Sequence, residues 1–168
     1  YFRLLPPAWG YVDQPPLTPL LMRAAIALFG DSVVAGRVLS GLFAVASIAL
    51  LALITREVGG GRLAQGLTAW GMAGASMTLA FGHVLLTASL DLVVWPAALL
   101  FMLRAVLRDQ GAWWLAAGAV VGASALNKLL IVTLLIGVAA GLAVFGPRRW
   151  FRSPWLWAAV GVCAVLTA

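Results

Sequence analysis

Val38-Leu-Ser-Gly-Leu-Phe-Ala-Val-Ala-Ser-Ile-Ala-Leu-Leu-Ala-Leu-Ile-Thr55 is an unbroken run of 18 uncharged residues between Arg37 and Arg56. A lipid bilayer selects such a run, because about 20 mostly apolar helical residues cross its ~30 Å hydrocarbon core. More runs follow: 28 residues from Leu63 to Leu90 with only His83 as a candidate charge, 12 from Leu92 to Leu103, 18 from Gln110 to Asn127 and 19 from Leu129 to Pro147. The 28-residue run is too long for one crossing and the 12-residue run too short. Ending one helix near Gly82 and starting the next near Leu86 repairs both. The spacing predicts six spans, about 35–55, 63–82, 86–106, 112–127, 129–146 and 154–168.

Composition agrees. Of 168 residues 64% are hydrophobic and 10% charged, against about 45–50% and about 25% in soluble domains. A water-soluble globule of this size has too little interior to hide that much apolar side chain. A soluble enzyme, a disordered chain and a disulfide-stapled secreted domain are excluded, and the single Cys163 permits no internal disulfide. The expected fold class is an all-α integral membrane protein: a multi-span transmembrane helix bundle forming one domain over residues 1–168. Starting at Tyr1 and stopping at Ala168 within an apolar run, the sequence reads as a fragment of a larger membrane protein.

The net charge of +6 does not indicate nucleic acid, since the basic residues stand singly or in small groups between apolar runs rather than on one face. Alternating loops collect Arg56, Arg62, Arg104, Arg108, Arg148, Arg149 and Arg152, which makes those loops cytoplasmic. Trp113, Trp114, Trp150, Trp155 and Trp157 flank the same loops as an interfacial belt. Ser153-Pro154 has the form of an N-cap followed by proline at the first helical position. Gly59-Gly-Gly61 before Arg62 is a turn, because no strand precedes it and no Lys-Ser/Thr follows. The opposite, extracytoplasmic face then receives Asp13, Gln14, Asp31, Arg37, His83, Asp91 and Lys128, and should be the active one.

Residues 1–32 form an external loop and an interfacial helix. Pro15, Pro16 and Pro19 preclude a helix through that stretch. From Leu17 onward Leu17, Leu20, Leu21, Ala24 and Leu28 share one face of a helix too short to cross. Gly30 closes it, and Asp31 or Ser32 caps the next.

Four motifs in order carry a resemblance. Gly10-Tyr-Val-Asp-Gln-Pro-Pro-Leu17 is similar to the first-external-loop motif of polytopic glycosyltransferases related to protein O-mannosyltransferases and the aminoarabinose lipid A transferase, the GT-C type of glycosyltransferase family 39. Phe29-Gly-Asp-Ser-Val-Val-Ala-Gly-Arg37 resembles the start of the family's second helix. Leu86-Thr-Ala-Ser-Leu-Asp91 stands where members have Ala-Thr-Pro-Asp, with Leu90 in place of the proline. Gly122-Ala-Ser-Ala-Leu-Asn-Lys128 resembles a Gly-Leu-Ala-Leu-Leu-Ser-Lys stretch, with Asn127 in place of the usual hydroxyl residue.

The resemblance implies a membrane glycosyltransferase that moves a sugar from a polyprenyl-phosphate-linked donor to a protein, lipid or cell-wall glycan acceptor. The reaction would occur on the outer face of a bacterial plasma (inner) membrane. High Ala, Gly, Arg and Trp content points to a GC-rich bacterial source. The family's catalytic acid, usually in an Asp-Glu pair, would lie upstream of Tyr1. No cofactor is expected, and the sequence supports no divalent metal.

Such a transfer needs a base for the acceptor and cations or dipoles for the departing phosphate. Asp13 and Asp91 are the catalytic candidates. Asp91 stands about one turn inside the membrane boundary, where a carboxylate costs less than the roughly 2.5–3.5 kcal/mol of the bilayer centre but still needs a reason. It would bind sugar, acceptor or a metal; the plainer alternative is an acid favoured by the helix dipole. For Asp13 the alternative is a turn Asp bonding its own backbone. Pro96, five residues after Asp91, is placed to kink that helix and open a cavity.

Gln14, Arg37, Lys128 and His83 are the substrate and lipid-phosphate candidates. Arg37 offers a bidentate fork; Lys128 alternatively snorkels to the interface, and His83 is alternatively a hydrogen-bonded interfacial residue. A secondary transporter or lipid flippase is the competing function, although transporters put ionisable groups near the midplane on broken helices, often in repeated halves. A membrane scaffold is a weaker competitor.

Overall fold

The computed structural model describes residues 15–167, and all regular structure among them is helical. The order is α1 (Leu17–Phe29), α2 (Val33–Glu57), α3 (Arg62–Gly74), α4 (Ser76–His83), α5 (Thr87–Leu107), α6 (Ala112–Ala125), α7 (Ile131–Val144), a 3₁₀ turn (Arg148–Arg152) and α8 (Pro154–Thr167). The chain divides into two compact units after Pro96. Length and composition qualify α2 and α5 as membrane crossings. The 14-residue α6, α7 and α8 are each only about 21 Å long.

The surface identifies the solvent. Trp70 is 80% exposed, Leu63 77% and Phe145 92%. Water would penalise such a surface; lipid does not. Burial is inverted to match. In the first unit α2 turns Ala35, Gly36, Ser40 and Ser47 inward and leaves Leu42 and Val45 outside. Small and hydroxyl residues inside, with large apolar ones outside, is how helices associate where apolar surface gains nothing by hiding.

Helix α1 differs from expectation in one way. It includes Pro19, which sits in the first turn, where a missing N–H costs no helical hydrogen bond. Its buried side is Thr18, Pro19, Met22 and Ala25, not the leucine face. Met22 lies 3.5 Å from the position a Cβ on Gly36 would take, so α1 meets α2 through a glycine. Leu28 stays 77% exposed. Gly30 ends the helix at φ +80°, and Ser32 caps α2 by accepting from the Ala35 N–H.

The expected 63–82 span is not one helix. Ala75 is extended (φ −67°, ψ 135°) and separates α3 from α4. Gly66, Gly71 and Gly74 each lower helix propensity by about 1 kcal/mol relative to Ala, and their concentration beside Ala75 accounts for the interruption. Helix α5 runs from Thr87 to Leu107 with Pro96 inside it.

In the second unit α6 and α8 make the tightest packing. Gly118 faces the backbone of Ala159, and Gly122 faces Cys163 and Leu166. One end of this unit is basic and aromatic. Arg149 pairs with Asp109 at 2.8 Å, which sets the α5–α6 and α7–α8 connections side by side. Trp113 stacks on Phe101 with ring centroids 5.5 Å apart, and the Arg104 guanidinium lies 4.9 Å from the Trp113 ring. The Trp157 indole N–H donates to the Phe151 carbonyl.

Candidate active site

Arg37 occupies the second turn of α2, and Arg56 stands in its last turn. About 28 Å of helix separates them. One device brings other polar groups to the Arg37 end. The Ser40 hydroxyl, fully buried, lies 3.0 Å from the Gly82 carbonyl and 3.2 Å from the Arg37 carbonyl. Gly82 is among the last four residues of α4, whose carbonyls have no partner within the helix. Ser40 therefore caps α4 from a neighbouring helix and puts His83 beside the Arg37 turn. A Cβ on Gly82 would come within 3.2 Å of the Ala44 side chain, so the approach depends on glycine.

The same end receives α5. Leu85 lies 3.9 Å from where a Gly36 Cβ would be, next to Arg37 in sequence. Ser89 fixes the turn between His83 and α5: its hydroxyl donates to the Val84 carbonyl at 2.7 Å and accepts from the Leu86 N–H at 3.0 Å. This is the reach-back half of a capping box, with serine in the glutamate position. Asp91, half-buried, follows two residues later.

Arg37 near the start of α2, His83 at the end of α4 and Asp91 in the second turn of α5 thus lie toward one end of the first unit. His83 is exposed and its Nδ1 lies 2.6 Å from the Leu79 carbonyl. One turn below Asp91, the Trp95 indole N–H is buried with no acceptor among the described residues, as is the Thr78 hydroxyl on α4. Buried donors of this kind are uncommon.

Asp13 and Gln14 lie outside the described residues. Lys128 belongs to the second unit, exposed in the turn after α6, at the end of that helix remote from Trp113. Its neighbour Asn127 is completely buried, and the Ser124 carbonyl accepts from both of their N–H groups. No group of three or more His, Cys, Asp or Glu stands together among the described residues.

Sequence reading overlooked Ser40 and Ser89, which position the ionisable groups. The signal for Ser89 was present as a serine three residues after the helix boundary. Ser40 has no local signal, because its partner is 42 residues away. Ser40→Ala is expected to lower stability by about 1 kcal/mol, the ordinary cost of a lost hydrogen bond. Hydrogen exchange should show faster opening concentrated in residues 76–83.

An all-helical chain with so apolar a surface is an integral membrane protein. The family model described as dolichyl-phosphate-mannose-protein mannosyltransferase matches residues 13–168. The chain belongs to that family of membrane glycosyltransferases. No curated protein and no solved structure matches it.

Proposed function

We propose that the protein transfers a sugar from a polyprenyl-phosphate donor to a protein, lipid or cell-wall glycan acceptor at the extracytoplasmic face of a bacterial plasma membrane, within a bundle of six crossings. The placement of Arg37, His83 and Asp91 toward one end of the first unit, away from Arg56 and Arg62, carries this reading, and membership of the mannosyltransferase family supports it. In the reaction the bond from the sugar anomeric carbon to phosphate breaks, and a bond from that carbon to the acceptor oxygen forms. The acceptor proton passes to a carboxylate, and polyprenyl phosphate departs. The carbon passes through an oxocarbenium-like state.

Arg37 holds the departing phosphate through its planar fork, with His83 as a further phosphate contact, and Lys128 of the second unit is a phosphate-binding candidate in its own right. Asp91 and Asp13 act on sugar and acceptor, and Gln14 is a further substrate-binding candidate. The chemistry requires no cofactor.

The break at Ala75 favours a transporter, where interrupted helices carry ionisable groups. Residues 63–82 hold none, and the ionisable groups lie at the helix ends instead. Transfer is the better reading.

The test uses full-length protein in proteoliposomes with polyprenyl-phosphate mannose. Arg37→Ala should raise the KM for this donor about tenfold or more, the value of a charge-assisted hydrogen bond. Arg37→Lys should fall between, keeping charge but losing the fork. An unchanged donor KM in both variants removes Arg37 from the phosphate site.

A further inference from the structure

The basic end of the second unit holds groups that sugar transfer at an extracytoplasmic site leaves unused. Arg148, Arg149 and Arg152 line an open pocket of about 390 Å³. Near it lies an apolar cleft of about 210 Å³, bounded in part by Leu103, Val106, Trp114, Gly141 and Leu142. The two are joined structurally. The Arg148 side chain reaches back to donate to the Ala143 carbonyl at 2.8 Å, beside Leu142 in the cleft wall. Trp150, within the arginine turn, packs on Trp114 at 5.9 Å between ring centroids.

We propose that this end of the second unit binds one anionic phospholipid, its phosphodiester among Arg148, Arg149 and Arg152 and one acyl chain in the cleft beside Trp114 and Gly141. Charge selects the headgroup: three guanidinium groups line one pocket, and the acid paired there is Asp109. Its pair with Arg149 has both side chains 62% exposed, and ion pairs that exposed are weak and exchangeable. A phosphodiester accepts two parallel N–H bonds from a guanidinium and replaces the carboxylate readily. The cleft selects a lipid over free phosphate, since no polar ligand gains by entering it. The indole N–H groups of Trp114 and Trp150 are buried without acceptors among the described residues. Basic pockets between membrane helices bind anionic headgroups on the same physical grounds.

Native mass spectrometry of the full-length protein, released from bilayers of equal phosphatidylglycerol and phosphatidylcholine, tests this. Wild type should retain one phosphatidylglycerol several-fold in preference to phosphatidylcholine. Arg148→Ala/Arg149→Ala/Arg152→Ala should weaken that retention by at least about tenfold, since each basic residue at an anionic surface is worth about a fivefold factor. Because removing arginines also weakens membrane orientation, Gly141→Leu serves as the second variant. A Cβ there meets nothing within 4 Å, so the new side chain fills the cleft without disturbing the fold and should lower retention severalfold. Millimolar inorganic phosphate should leave the lipid bound. Absence of preference in wild type, full retention by Gly141→Leu, or displacement by inorganic phosphate would each overturn the proposal. The site is independent of the sugar-transfer reading.

Discussion

Asp91→Asn is expected to lower turnover of the full-length enzyme by about 100-fold or more while leaving the fold intact. The substitution keeps shape and removes only the charge and the proton-accepting power, and base catalysis by a positioned side chain contributes roughly 10²–10⁴-fold. The plainer role, an acid held by the α5 dipole, fits the structure less well. The first turn of α5 contains no acidic residue, and Asp91 is the fifth residue, beyond the turn in which the dipole effect concentrates. A purely structural carboxylate would change stability by about 1 kcal/mol at most and leave turnover alone. Single-turnover rates in proteoliposomes, measured beside thermal midpoints, separate the two. Turnover within twofold of wild type at unchanged stability would take Asp91 out of the chemistry. Asp13→Asn should behave in the same way.

The fold class was legible because lipid imposes so few solutions. Apolar runs bounded by arginines can only be helices there, and α2, α5 and α8 lie where Val38–Thr55, residues 86–106 and Ser153-Pro154 indicate. Finer features failed for an identifiable reason. The helical spacing of Leu17, Leu20, Leu21, Ala24 and Leu28 reports that this face of α1 is apolar but not which residues pack on protein. Packing falls to Met22 against Gly36. The break at Ala75 was hidden because hydropathy does not sense backbone conformation, and three glycines do not alter an apolar average.

The site was legible residue by residue but not as an assembly. Arg37, His83 and Asp91 stand out because ionisable groups in apolar sequence need a reason. What sets them toward one end is a serine that caps a distant helix and glycines that let α2, α4 and the start of α5 approach, and neither carries a local signature of its partner. The orphaned Trp95 indole is a further product of tertiary packing. From the sequence, a tryptophan four residues after Asp91 says only that the two share a helix face.

The largest loss of stability is expected at Gly118, which sequence reading passed over although Gly118-Ala-Val-Val-Gly122 has the small-xxx-small spacing of close membrane helix pairs. A Cβ at 118 would collide with the Ala159 carbonyl oxygen and stand 2.9 Å from the Ala159 Cα. The obstacle is backbone, so no rotamer change relieves it and α6 and α8 must separate. Gly118→Ala should cost about 1–3 kcal/mol, the usual penalty of overpacking. Gly118→Leu should cost more, because separation also forfeits the contacts of Gly122 with Cys163 and Leu166. Gly137 in α7 is the matched control, since nothing lies within 4 Å of a Cβ there. Gly137→Leu should leave the detergent unfolding midpoint within experimental error while Gly118→Leu lowers it sharply. Equal midpoints for the two variants would show that the α6–α8 contact does not hold the second unit together.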